Sequence, residues 1–319
     1  MSMEKRLLGQ TGLAIAPVVF GGNVFGWTID EKQSFAVLDA FVDHGFNAID
    51  TADSYSTWVP GNKGGESETI IGRWLKANPA KRDKVVIFTK VGSDLKQPGQ
   101  KGLSERWILE EVENSLRRLG LERIDLYFSH WPDSTPYAET LGAYDKLIKA
   151  GKVRAIGVSN VDAAQLGAAL ATARDKGLPR YQVVQPEYNL YDRAKFEGAL
   201  QDLCAAENLG VVTYYSLASG FLSGKYRAQG DISQSMRGAG VADKYLNKRG
   251  FGILDALDSV AARLGARPAE VALAWLMAQK GVSAPIASAT KVEQVASFAK
   301  AAQLTLSSED LAVLTAAGA

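Results

Sequence analysis

The chain has 319 residues, with Lys plus Arg at 36, Asp plus Glu at 35 and a formal net charge of +1. That balance leaves no basic excess for neutralising phosphates and no acidic docking tail, so nucleic acid is not an expected partner. A single cysteine, Cys204, and two histidines, His44 and His130, exclude an internal disulfide and a Cys- or His-rich metal site, and no metal is expected.

The opening segment, MSMEKRLLGQTG, lacks the apolar core of a signal peptide, and no apolar run is long enough to span a bilayer. A cytoplasmic protein with no membrane partner is the expectation. The segment KRLLGQTGLAIAP reads as a β-hairpin turning at Gly9 to Gly12. After it, apolar β-rich runs alternate with amphipathic stretches. The strands are expected at PVVFG (17 to 21), FNAID (46 to 50), KVVIFTK (84 to 90), IDLYFSH (124 to 130), VRAIGVS (153 to 159), YQVVQPE (181 to 187), GVVTYYS (210 to 216) and VSAPIAS (282 to 288). Helices are expected at 31 to 44, 66 to 77, 104 to 119, 138 to 150, 162 to 176, 195 to 208 and 291 to 302, with a further one at 268 to 280. Segment 217 to 249 reads as a loop. The helix at 104 to 119 is the plainest: Ser104 as N-cap, acids early, an apolar stripe through Trp107, Val112, Leu116 and Leu119, and Gly120 to stop it. His44, at the end of the first helix, reads as structural, and Glu66 and Glu68 suit the positive end of the second.

Eight β-rich runs, each followed by helix, predict an α/β protein with a (β/α)8 TIM barrel, an N-terminal β-hairpin and extra C-terminal helices. No composition shift marks a linker, so residues 1 to 319 are read as one domain. The competitor, a doubly wound sheet, lacks its signature, because GGNVFG (21 to 26) has its glycines at other spacings than G-x-G-x-x-G and no helical pattern directly behind it. In a barrel, active sites gather where the C-terminal ends of the strands meet. Those ends carry Asp50, Lys90, His130, Ser159 with Asn160, Gln185, and Tyr215 with Ser216. Any one of them has an ordinary structural explanation, such as a snorkelling lysine or a hydrogen-bonded core imidazole. Together on adjacent strands they form a candidate site.

The motifs GFNAIDTADSYS, VVIFTKVG, IDLYFSHWPD, IGVSN, VVQPEYN and TYYSLASGFLSGKY resemble the successive signatures of the aldo-keto reductases, over nearly the whole chain and in the branch that includes channel β-subunit-like members. The resemblance implies a catalytic tetrad of Asp50, Tyr55, Lys90 and His130. It further implies reversible hydride transfer between a nicotinamide cofactor and an aldehyde, ketone or sugar carbonyl, without a Rossmann fold. The residue types suit that chemistry, since hydride addition builds negative charge on oxygen and calls for a proton and for donors aimed there. Tyr55 is the expected general acid, Lys90 the cation that lowers the phenol's pKa, Asp50 the counter-ion of Lys90, and His130 a donor to the substrate oxygen.

The same resemblance assigns Ser159, Asn160 and Gln185 to the nicotinamide carboxamide and Tyr215 to a stack on its ring. In the loop 216 to 227, Ser216, Leu217, Ser219, Leu222, Gly224 and Lys225 are expected at the pyrophosphate. Ser288, Thr290, Lys291 and Gln294, at the start of the last assigned helix, are expected at a further phosphate. There the chain departs from the family pattern: IASAT replaces the usual Pro-Gly with a basic residue, and Phe298 stands where an Asn meets the adenine. Lys291 or Arg237 is the expected substitute contact. NADP(H) is therefore the expected cofactor, with NAD the alternative. Phe25, Trp27, Trp58 and Trp131, joined by Tyr191, are expected to wall a pocket for a small-molecule carbonyl or alcohol substrate. The competing functions are a cofactor-binding regulatory subunit with slow redox turnover and a metal-dependent barrel enzyme, the latter disfavoured by two histidines and no clustered carboxylates.

Overall fold

The computed structural model describes residues 3–234, 236 and 238–319. The chain starts with the hairpin strands β1 (Arg6–Leu7) and β2 (Ala14–Ile15), paired antiparallel. Then strand and helix alternate: β3 (Val19–Gly21), α1 (Glu31–Asp43), β4 (Ala48–Asp50), α2 (Glu66–Ala77), β5 (Val86–Val91), α3 (Glu105–Leu119), β6 (Ile124–Ser129) and α4 (Tyr137–Lys149). The second half continues with β7 (Val153–Ser159), α5 (Ala163–Lys176), β8 (Val183–Gln185), α6 (Ala199–Ala206) and β9 (Gly210–Thr213). After β9 come α7 (Gly238–Tyr245), α8 (Lys248–Leu264) and α9 (Pro268–Met277), then β10 (Ala284–Ala287), α10 (Val292–Gln303) and α11 (Ser308–Ala317).

Strands β3 to β10 close into a parallel barrel in the order β10-β3-β4-β5-β6-β7-β8-β9, which is the (β/α)8 architecture expected from the alternation. The strands are short and almost wholly buried, because one face fills the barrel and the other meets the helices. Val19, Ala48, Phe88, Leu126, Phe128, Val183 and Val212 belong to an inner cluster, and Leu8, Leu13 and Ile15 from the hairpin join it. Gly9 of the hairpin turn lies so close to Gly210, the first residue of β9, that a Cβ would sit 2.4 Å from its amide nitrogen. The hairpin therefore plugs the end where strands begin, and the opposite end is left for a site.

The helices pack outside, and the sequence signals at their ends hold. Ser104 accepts from the Trp107 amide, Gly120 ends α3 in the left-handed region, and His44 caps the C-terminus of α1. Glu68 does more than favour a helix start: it is buried, accepts from Thr89 Oγ1 at 2.5 Å and pairs with Arg118 Nε at 2.6 Å, tying α2 to α3 and β5. Among the described residues, no helix is long and apolar enough to cross a membrane.

The expectation of a loop over 217 to 249 needs correction. The segment holds 3-10 turns at Ala218–Ser223 and Gln229–Gln234, then α7 and the start of α8. Its Gly- and Ser-rich composition hides a small apolar set. Val241 and Tyr245 are buried, and the Tyr245 ring stacks on Phe221 at 5.2 Å. Tertiary packing, rather than local propensity, makes this segment helical.

Candidate active site

Asp50 ends β4, and Lys90 is the penultimate residue of β5, so neighbouring parallel strands bring the two side chains to the same end of the barrel. Lys90 Nζ donates to Asp50 Oδ2 at 2.6 Å, to the Thr51 carbonyl at 2.8 Å and to Tyr55 Oη at 2.8 Å. Three acceptors exhaust an ammonium's donors, which is what allows a charge to be held where no solvent reaches it. Asp50 is equally engaged: Oδ2 also accepts from the Tyr55 hydroxyl at 3.0 Å, and Oδ1 accepts from Gln185 Nε2 at 2.9 Å across the barrel.

This geometry corrects one electrostatic expectation. The residue types predict a phenol acidified by Lys90; instead the pKa of Tyr55 is raised well above 10, by burial first and then by the charge of Asp50 and the bond donated to it. Asp50 adds to burial because Oδ2 sits between the two donors, so the carboxylate acts on the phenol as directly as the ammonium does. Burial also lowers the pKa of Lys90, against the opposing pull of Asp50.

His130 follows β6. Its amide donates to the Val91 carbonyl at 2.8 Å, and its carbonyl accepts from Asn160 Nδ2 at 2.9 Å. The ring stacks on Trp131 at 6.1 Å and meets the Tyr55 ring edge-on at 6.0 Å. Burial, then the charge of Lys90, pushes its pKa well below 6.5, so the imidazole is neutral at pH 7. Nδ1 lies 2.9 Å from Ser93 Oγ, with Ser54 Oγ farther off at 3.5 Å.

Asp50, Tyr55 and His130 line one cavity of about 830 Å³, which runs on past Ser159, Asn160 and Gln185 to Ser288, Thr290, Lys291 and Gln294. Tyr215, Ser216, Leu217, Ser219 and Lys225 line it as well. Tyr215, two residues past the end of β9, takes φ +52, and its ring is half exposed at the cavity. Asn160, also left-handed at φ +61, donates to Ser159 Oγ at 3.1 Å and accepts from Tyr214 Oη at 2.6 Å. Ser159 Oγ in turn donates to the Gln185 carbonyl at 2.8 Å. Ser288 donates to Asn23 Oδ1 at 2.7 Å, and Gln294 Oε1 accepts from the amides of Thr290 and Lys291 at 2.7 and 3.2 Å. A Cβ on Gly21 would stand 2.6 Å from Ser288 Oγ, so glycine keeps this wall open.

Several expected residues lie elsewhere. Leu222 is fully buried among core residues, and Gly224 is the left-handed stop of a 3-10 turn; neither is on the cavity wall. Phe25 is fully buried and stacks on Phe20 at 5.4 Å, so it is core rather than pocket. Trp27 stands behind the wall, edge-on to Trp58 at 5.3 Å, whereas Trp58 and Trp131 line the cavity and are about half exposed. Tyr191 is held off the wall by Tyr245 and by its bond to the Lys244 carbonyl. Phe298 is buried on the inner face of α10. Arg237 lies outside the described residues. The cavity wall also holds residues outside the expected set, among them Asn23, Ser93 and Tyr214.

The description "Aldo/keto reductase family" belongs to the family model that matches residues 17–319. The chain belongs to the aldo/keto reductase family. It is 33% identical over 320 residues to an uncharacterized oxidoreductase, YrpG, of Bacillus subtilis (strain 168), covering 98% of this chain and 95% of that one. The aldo-keto reductase YhdN of the same organism is 33% identical over 97% of this chain and 91% of its own length. A probable voltage-gated potassium channel subunit beta of Oryza sativa subsp. japonica is 34% identical over 94% of this chain and 91% of its own. Aldo/keto reductases are oxidoreductases that generally use nicotinamide cofactors. The cavity of this aldo/keto reductase fits such a group: it is long, it joins the Tyr55 end to the α10 end, and amide, hydroxyl and aromatic side chains line it.

Proposed function

We propose that the protein is an NADPH-dependent carbonyl reductase in which Tyr55 is the general acid. The observation that carries this is the Tyr55 hydroxyl, held within 3.0 Å of both Asp50 and Lys90 at the wall of a cavity that His130 also lines. A bound NADPH supplies the hydride. The carbonyl oxygen gains negative charge as the reaction proceeds, and Tyr55 gives it a proton. A phenol with a raised pKa stays protonated at neutral pH, and an alkoxide is still basic enough to take that proton. The ammonium of Lys90, 2.8 Å from Oη, stabilises the phenolate left behind. Asp50 keeps Lys90 in place, and neutral His130 donates to the same carbonyl oxygen. In the oxidative direction each proton transfer reverses.

In this reading Ser159, Asn160 and Gln185 hold the nicotinamide carboxamide, and Tyr215 packs against its ring. Ser216, Leu217, Ser219 and Lys225 flank the pyrophosphate. Ser288, Thr290 and Lys291 take the far phosphate; Gln294, which occupies two amides at the start of α10, must yield or share them. Trp58 and Trp131 bound the substrate space, and residues 1 to 319 act as one cytoplasmic unit. Lys291 favours NADPH over NADH. The likeness to a channel β-subunit favours a second reading, a cofactor-binding regulatory subunit with slow turnover. Following NADPH and NADH consumption against aldehydes, ketones and sugars decides between them: multiple turnovers support the reductase, and cofactor binding without turnover supports the subunit.

A further inference from the structure

We propose that Ser93 is a positioning residue for His130: its hydroxyl donates to Nδ1, placing the ring proton on Nε2 for donation to the carbonyl oxygen. This rests on the reading of His130 as an oxygen donor. Ser93 lies two residues past the end of β5. Gly92, at φ +115, turns the chain there, and a Cβ on it would stand 2.8 Å from Leu103 Cδ2. The turn leaves Ser93 on the cavity wall with Oγ 2.9 Å from Nδ1.

The imidazole has little positional freedom left. Backbone bonds to Val91 and Asn160 hold the residue on both sides, and Trp131 and Tyr55 fix the plane of the ring. What stays open is which nitrogen carries the single proton of the neutral ring, and the partner of one nitrogen sets that. A proton on Nδ1 would leave Nε2 a bare acceptor, unable to donate to a carbonyl. Among the described residues, Nδ1 is the one hydrogen-bond partner of Ser93 Oγ, so the hydroxyl proton has a single protein acceptor. Ser54 Oγ stands farther from the same nitrogen, at 3.5 Å. Among the described residues no carbonyl or carboxylate accepts from Nδ1, the arrangement that would favour the other tautomer.

The chain has only two histidines, so a nitrogen-15 spectrum of labelled imidazoles contains two ring systems, and His44→Gln assigns them. The expected result is an Nε2–H ring for His130 in the wild type and in Ser93→Thr, and a shift toward Nδ1–H in Ser93→Ala. Carbonyl reduction in Ser93→Ala should lose about ten-fold in kcat, with Ser93→Thr recovering most of it and NADPH binding unchanged in both. An Nδ1–H ring in the wild type, or an unmoved tautomer in Ser93→Ala, overturns the proposal. His130→Ala separates the two levels. If it reduces carbonyls as the wild type does, the donor reading itself fails; if it loses reduction while Ser93→Ala keeps its tautomer, only the role of Ser93 fails.

Discussion

Lys90 and Asp50 form a buried ion pair at 2.6 Å, with side-chain exposures of 0% and 1%. Both charges are fully bonded, so each is tolerable only while the other remains. Asp50→Asn should cost about 3 to 5 kcal/mol, because it strands an ammonium in the barrel. Adding Lys90→Met should restore most of that loss while carbonyl reduction stays abolished. Urea denaturation of the two singles and the double makes the cycle, and a double variant as unstable as the sum of the singles would contradict it.

Asp53, three residues on, is the opposite case. It is fully buried, and neither carboxylate oxygen has a hydrogen-bond partner among the described residues. Burial first, then the charges of Glu111 and Glu68, raise its pKa well above 3.8. The folded state thus keeps a proton that the unfolded chain releases near pH 4. Stability is therefore lost as pH rises from there through the folded pKa. Asp53→Asn cannot ionise and should lack that slope, so its melting temperature gains on the wild type between about pH 4 and pH 7. Parallel curves would show that Asp53 carries no such penalty.

Gly72 sits where α2 crosses α3, and an added Cβ would lie 2.1 Å from the Arg118 carbonyl oxygen. Helix propensity alone favours Gly72→Ala by about 1 kcal/mol. Contact with rigid backbone should outweigh it, pushing the helices apart and loosening Arg118 from Glu68 and Glu111. A net loss of at least about 1 kcal/mol is expected by urea denaturation. A gain in stability would mean that the crossing gives way easily.

The barrel and the end that carries the cavity were legible because strands buried on both faces stand out as apolar runs, and polar residues such as Asp50 and Gln185 end them. What escaped depends on direction in space. Phe25 and Trp58 are both aromatics in loops at the rim, yet one is core and the other lines the cavity. Ser93 was passed over because its value comes from the turn at Gly92, after the strand has ended. The rise in the Tyr55 pKa follows first from burial and then from a carboxylate oxygen shared by two donors, and residue types reveal neither how deeply the phenol is buried nor which oxygen is shared. Helix α7 is obscured by glycines whose few apolar neighbours find partners only in the folded chain, whereas α8 carries Asn247 as N-cap, an apolar stripe through Ile253, Leu254, Leu257 and Val260, and Gly265 as its stop.

The most direct test of the central claim is the turnover of Tyr55→Phe with NADPH and a reducible aldehyde, beside a fluorescence titration of NADPH binding. The variant removes one oxygen and leaves the ring beside Trp58 and His130. The expected result is a loss of at least about 100-fold in kcat with NADPH affinity nearly unchanged. Undiminished turnover in Tyr55→Phe would contradict the assignment of Tyr55 as the acid.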